Sequence, residues 1–191
     1  MSGPTTIVTL RERLRLDTRR SHDAMDRAYR RFDTGTSDGL AGFLQGHLAG
    51  LTALADNADR ELVAMLAPML DVLRSDLAEL DADAAVVPPM TPKHDNPLAR
   101  RYLWLAVRLG TRMQARHLRA ALDPRVQAAC RFVDAMADPG PSRAFVDILE
   151  ERSARGLEAE GVLRAANDWF ACYEHCAVTR AAAPGRVAAT G

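Results

Sequence analysis

The chain has 191 residues, of which 48% are hydrophobic and 26% charged, with 25 basic side chains against 25 acidic ones. That length supports one domain with a sizeable core, and nothing in the balanced charge argues for a protein organised around nucleic acid or an anionic membrane surface. No apolar run approaches a membrane span, the N-terminus lacks a signal-peptide core and the three cysteines have no framework spacing, so a cytoplasmic protein with no membrane and no nucleic-acid partner is expected.

Aromatic residues make up 5% of the chain while leucine, alanine and arginine abound, which favours helix over strand and predicts an all-α fold. Met1–Thr5 reads as a frayed start. From about Thr6 to Phe32 one long helix is expected, because Leu10, Leu14, Thr18, His22, Met25, Tyr29 and Phe32 recur at steps of three and four and share one stripe. Arginines occupy most of the remaining surface, so His22 belongs to the inward stripe. Asp33–Gly39 is a turn-rich break. A second helix starts near Ser37 or Asp38, either able to cap it, with Leu40, Phe43, Leu44, His47, Leu51 and Leu54 inward. Gly42, Gly46 and Gly50, four residues apart, give it a smooth face for close packing. A third helix covers about Arg60 to Leu80, where Pro68 is expected to kink or split it. Asp81–Pro97 is a proline-rich linker. Neither flank could bury its apolar faces alone, so residues 1–180 are expected to form one domain.

The central helix, Leu103–Leu118, carries an unusual Gly110 at mid-helix, where glycine costs about 1 kcal/mol relative to alanine. With Ala106 one turn earlier it makes a small-residue patch. On this helix alone tight helix packing is the first explanation, and a flat ligand against the backbone is the second. Beyond Asp123-Pro124, Arg125–Met136 is a short helical piece, and Asp138–Pro141 breaks the chain. Phe145, Ile148 and Leu149 mark a helix to about Arg155. The last helix runs from about Glu158 to Val178, with Val162, Ala165, Ala166, Trp169, Phe170, Tyr173 and Cys176 inward. Residues 181–191 are small and polar and read as a disordered tail.

Few residues point to chemistry. His22 lies on an apolar stripe beside Arg19 and Arg20. The ordinary reading is a core histidine bonded to a neighbour. The alternative is a neutral axial ligand for haem iron, with the arginines meeting the haem carboxylates. His47, flanked by Gly46, is the rival ligand on the same argument. His94 and His117 are expected to be solvated, and Cys130 to be a small buried residue. Cys172, His175 and Cys176 form C-x-x-H-C without the complementary ligands that zinc needs. The pairs Glu150/Glu151 and Glu158/Glu160 sit beside arginines and read as solvated ion pairs. There is no G-x-S-x-G, phosphate-binding loop, H-E-x-x-H or dinucleotide fingerprint.

Two stretches together resemble the bacterial haem oxygenase family. LRLDTRRSHDAMDRAYRRF, residues 14–32, is similar to the family's N-terminal helix, L-R-x-x-T-x-x-x-H-x-x-L. YLWLAVRLGTRMQARHL, residues 102–118, is similar to its distal helix, Y-V-L-E-G-S-x-L-G-G-R-V, with Tyr102, Leu109, Gly110 and Arg112 matching. The stretch Ala165–Phe170 resembles a further A-x-x-x-F helix. This chain departs from the distal pattern at Leu105, Ala106 and Val107, where the family has E-G-S, and at Thr111, where it has the second glycine.

The resemblance implies a haem-oxygenase-like multi-helix bundle with haem, substrate and cofactor at once, between the first and central helices. It makes His22 the proximal iron ligand and places the backbone of Ala106, Gly110 and Thr111 on the distal side. Arg19, Arg20 and Tyr102 become candidates for holding the carboxylates. The implied reaction is oxidative cleavage to biliverdin, iron and carbon monoxide, driven by an external electron donor such as a ferredoxin, a flavoprotein or another reductant. The departures at Leu105–Val107 and Thr111 keep open a haem carrier or sensor on the same fold. A cofactor-free helical interaction domain, in which the glycine faces only pack helices, is the remaining alternative.

Overall fold

The computed structural model describes residues 9–84, 90–119, 121–137 and 142–182, with side chains described except at 114–117, 119, 142, 181 and 182. The described residues are 78% helical, and among them the extended pairing is limited to one isolated bridge, Thr9 to Ser153. The fold is all-α. Its helices are α1 (Leu10–Asp17), α2 (Arg19–Tyr29), α3 (Ser37–Ala55), α4 (Arg60–Glu79), α5 (Pro97–Arg119), α6 (Pro124–Ala128), α7 (Arg131–Ala137), α8 (Ser142–Glu151) and α9 (Leu157–Ala182). The frayed start at Met1–Thr5, the break at Asp138–Pro141 and residues 183–191 of the tail lie outside the described residues, while Ala181 and Ala182 continue α9.

α9 is the central element, and α2, α3 and α5 all pack on it. Its expected inward residues are buried: Val162, Ala165, Ala166, Trp169, Phe170, Tyr173 and Cys176. The small residues among them let neighbouring helices approach, and the large rings fill the gaps between those helices.

The expected first helix is two. Thr18 separates α1 from α2, is 1% exposed and gives its hydroxyl proton to the Leu14 carbonyl at 2.7 Å. That local bond competes with the helical ladder and turns the axis there. The α3 cap is Thr36 rather than Ser37 or Asp38; its hydroxyl accepts from the Gly39 backbone N–H. α4 is not split at Pro68. Leu62, Leu66, Leu70, Leu73 and Leu77 all lie on its buried side, and burial along both halves holds the helix together across the lost backbone bond. The piece expected over Arg125–Met136 divides into α6 and α7. The fully buried Asp76 carboxylate on α4 accepts the Phe132 backbone N–H at 2.8 Å and so starts α7 from outside the segment. Burial pushes the Asp76 carboxyl above the usual range, against the opposing pull of the Phe132 N–H and Arg131.

The glycine face of α3 receives aromatic rings. A Cβ at Gly42 would lie 2.8 Å from the Phe32 ring, at Gly46 3.3 Å from Tyr29 and at Gly50 2.3 Å from Tyr173. The close-packing expectation is met, with rings from α2, its C-terminal turn and α9 seated on backbone.

Arg100 joins the linker to the bundle. Its Nη1 donates to the carbonyls of Leu54 and Asp56 at the end of α3, and its Nε and Nη2 grip Asp95 in a two-pronged bond. The guanidinium lies 4.6 Å over the Trp169 ring, whose Nε1 donates to Asp95 at 2.9 Å. Truncation as Arg100→Ala strands two carbonyls and a carboxylate, and is expected to cost about 3 kcal/mol of unfolding free energy. Urea titration measures it; a cost below about 1 kcal/mol would mean that the contact behaves as an exposed ion pair.

Candidate functional site

α2 and α5 both lean on α9 yet scarcely touch each other. A groove opens between them as a result. Its inner part is a cavity of about 620 Å3 walled by α2, α3, α5 and α9, within the ~300–1,000 Å3 typical of small-molecule sites. Its outer part, about 440 Å3, is lined by α1, α2 and α5 residues. His22 and Leu109 line both parts, so the two form one trough passing His22.

His22 stands on the α2 wall with its side chain 34% exposed. Phe170 of α9, fully buried, sets its ring edge-on to His22 at 5.6 Å and to Tyr102 at 6.1 Å, so one ring props the side chains on both sides of the groove. The His22 Nδ1 is 3.6 Å from Asp26 and 3.9 Å from Asp23, both too long for a hydrogen bond. Asp26 itself lines the inner cavity.

On the α5 wall Gly110 has no tight neighbour. An added Cβ would meet only the Asp26 Oδ1, at 3.7 Å, in ordinary contact. The helix-packing explanation for this glycine is therefore corrected: no neighbouring helix presses on it, and it leaves a bare backbone strip along the cavity. Thr111 lines the cavity too, is 3% exposed, and its hydroxyl has no hydrogen-bond partner. Ala106 lies in the outer part. Leu109 and Met113, 57% and 81% exposed, form an apolar rim.

His47 forms part of the cavity floor. It is 4% exposed, enclosed by the rings of Tyr29, Phe43, Phe132 and Tyr173. Its Nδ1 is 2.8 Å from the Tyr173 hydroxyl, while its Nε2 is buried without a partner. Burial holds the imidazole neutral, with its pKa lowered from 6.5 to about 3. Burial also pushes the Tyr29 and Tyr173 phenols well above their usual range.

The sequence candidates fall as follows. His22, Gly110 and Thr111 come together at the inner cavity, and Arg19, Tyr102 and Ala106 at the outer part. Burial raises the Tyr102 pKa, opposed by the neighbouring Thr18, Arg15 and Arg11. Arg20 is exposed and lines neither part, whereas Arg15, which sequence reasoning passed over, lines the outer one. The signal for Arg15 was its spacing: it sits four residues before Arg19, on the same helical side. His94 is exposed, as expected, with its Nδ1 and backbone N–H both on Asp168 at 2.8 Å. The His117 side chain lies outside the described residues. In C-x-x-H-C, Cys172 and Cys176 are buried, with both thiols pushed up to about 11 by burial, while His175 faces out. Among the described residues no three histidine, cysteine or acidic side chains gather in a metal-binding group. Cys130 is buried, and Glu150, Glu158 and Glu160 pair with Arg11, Arg152 and Arg13.

Comparison with protein-family models, with curated proteins and with solved structures finds no match to this chain. No described helix is long and apolar enough to cross a membrane.

Two outcomes follow from this geometry. Gly110→Ala is expected to raise the unfolding free energy by up to about 1 kcal/mol, because the new methyl meets nothing tight and helix propensity improves. Gly50→Ala, measured in the same urea titration, is expected to lower it by about 1–3 kcal/mol through collision with Tyr173. The second outcome concerns pH. The unfolded chain protonates His47 near 6.5 and the folded chain only near 3, so this group withdraws stability as pH falls through that window and withdraws none above it. Relative to His47→Leu, the wild type is expected to lose about 1.4 kcal/mol per pH unit between pH 6 and 4; parallel stability profiles would show that the imidazole protonates freely in the fold.

Proposed function

We propose that the trough between α2 and α5 binds haem, and that the protein is a haem-oxygenase-like enzyme that oxidises it. The observation that carries this reading is that Gly110, which no helix packs against tightly, and His22 line opposite walls of one cavity sized for a small molecule. A glycine at mid-helix despite its cost, with no tight neighbour to accommodate, is what close approach of a flat ligand requires.

The donor set fits an iron tetrapyrrole. His22 is accessible from the trough on both sides. Asp26, 3.6 Å from its Nδ1, would have to move closer to accept that ring proton and leave Nε2 for iron, as carboxylates beside ligating histidines do. Arg15, Arg19 and Tyr102 in the outer part offer charge-assisted and hydroxyl bonds to carboxylates. Met25, Phe43 and Val107 give the inner part the apolar contact that a porphyrin face requires. Haem would supply the redox chemistry from its own iron, given an external reductant, with biliverdin, iron and carbon monoxide as products. What the protein contributes is orientation, an imidazole ligand and apolar contact along the inner side.

A second reading, haem binding without turnover, draws on the α5 wall. Of the described α5 residues lining the inner cavity, Thr111 alone has a polar side chain. A wall of that kind holds little water beside the ligand.

Absorption titration with hemin, on the wild type and His22→Ala in parallel and followed by ascorbate, tests both. A saturable Soret shift that is lost or altered in the variant, then decays to biliverdin absorbance, is the expected result. A stable ferrous complex would favour the carrier or sensor, and no saturable shift would overturn haem binding.

A further inference from the structure

One acidic side chain reaches into the inner cavity and stands close to both of its walls. Among the described residues lining that cavity, Asp26 is the one acid and Arg30 the one arginine. The Asp26 Oδ2 faces its own helix, 3.6 Å from the His22 Nδ1 and 3.8 Å from the Arg30 Nη2. Its Oδ1 lies toward α5, 3.7 Å from the point where a Cβ on Gly110 would stand. The two oxygens of one carboxylate therefore sit beside the candidate iron ligand and beside the glycine of the opposite wall. The Asp26 side chain is 26% exposed, so a guest in the cavity can reach it.

Neither neighbour cancels this charge. Both contacts on Oδ2 are too long for hydrogen bonds. The Arg30 side chain is 71% exposed, where solvent and salt weaken its opposition. The lining beside Asp26 is largely hydrocarbon and ring, with Met25, Tyr29, Phe43 and Val107. A guest that fills the cavity displaces water from this surface and strengthens the field that it feels. Asp23 is a second carboxylate near His22, 3.9 Å from Nδ1, but its side chain is 51% exposed and is not part of the cavity lining.

A ligand held by His22 and lying along Gly110 passes this carboxylate, so its affinity depends on the charge at its centre. A protoporphyrin holding a trivalent metal carries one positive charge there, and one holding a divalent metal carries none. The outer carboxylates are the same in both. We propose that Asp26 makes the trough select the cationic, trivalent-metal form of its tetrapyrrole over the neutral, divalent one. With an effective dielectric constant between that of a protein surface and that of water, one charge at this range is worth about fivefold in the ratio of affinities. This rests on the tetrapyrrole reading of the trough and adds to it a preference for the oxidised ligand. The external reductant must then work against that preference, by about 40 mV at 59 mV per tenfold for one electron.

Gallium(III) and zinc(II) protoporphyrin are the probes, since both accept an axial imidazole and neither changes oxidation state during titration. Each is titrated by absorption into the wild type, Asp26→Asn, Asp26→Glu and Asp23→Asn, and the quantity read is the ratio of the two dissociation constants. Asp26→Asn keeps the shape of the side chain without its charge and is expected to lower the preference for gallium about fivefold. Asp26→Glu keeps the charge and is expected to stay within about twofold of the wild type. Asp23→Asn removes an equal charge outside the cavity and is expected to change the ratio by less than about twofold. An unchanged ratio in Asp26→Asn, or an equal loss in Asp26→Glu or Asp23→Asn, overturns the selection and leaves tetrapyrrole binding standing. Failure of the wild type to bind either probe overturns the tetrapyrrole reading and the selection with it.

Discussion

The Arg100 guanidinium is the contact on which the bundle closes. It is taken out of water only because three separate parts of the chain meet its donors: the last carbonyls of α3, the Asp95 carboxylate of the linker and the Trp169 face of α9. Each partner is satisfied by the same planar group, which is why lysine could not substitute for it. α5 begins three residues earlier, at Pro97, so the direction in which it leaves the linker is set at this junction. Since α5 supplies one wall of the groove, the separation of that wall from α2 depends on a charge network at the far end of the helix.

The groove follows from unequal packing. α9 is broad enough to seat α2, α3 and α5, and Phe170 contacts both His22 and Tyr102 from below. α2 and α5 would have to tilt off α9 to meet one another, giving up buried area that is already filled. The gap between them is therefore a consequence of a well-packed third helix rather than a defect in packing. Its walls then take their chemistry from position: arginines at the solvent end, a half-exposed histidine in the middle, and neutral polar atoms among rings at the floor.

Much of the fold was legible in the sequence, because leucine spacing on α3, α4 and α9 writes the buried face directly. What could not be read depended on residues distant in sequence. Asp76 starts α7 from another helix, and nothing near Phe132 announces it. Thr18 looks like one more member of a helical stripe until its hydroxyl is seen on the Leu14 carbonyl. At the candidate site, His22 and Gly110 stood out as single anomalies, a histidine on an apolar stripe and a glycine inside a helix. The meaning of Gly110 changed once its surroundings were known, since a sequence cannot say whether a missing Cβ relieves a tight contact or only an ordinary one. His47 was visible as a buried histidine, but its pairing with Tyr173 joins positions 126 residues apart.

The rings seated on the α3 glycines carry a consequence for motion. Phe32, Tyr29 and Tyr173 rest against three bare points spaced one turn apart, like pegs in a rail. Sliding α3 by one residue would drive each ring into a side chain, so α3, α2 and α9 are locked in register. α5 has no such pegs on its groove side, and Gly110 there touches nothing closely. Any adjustment of width that a guest demands must therefore be made by α5, swinging from its anchored beginning at Arg100.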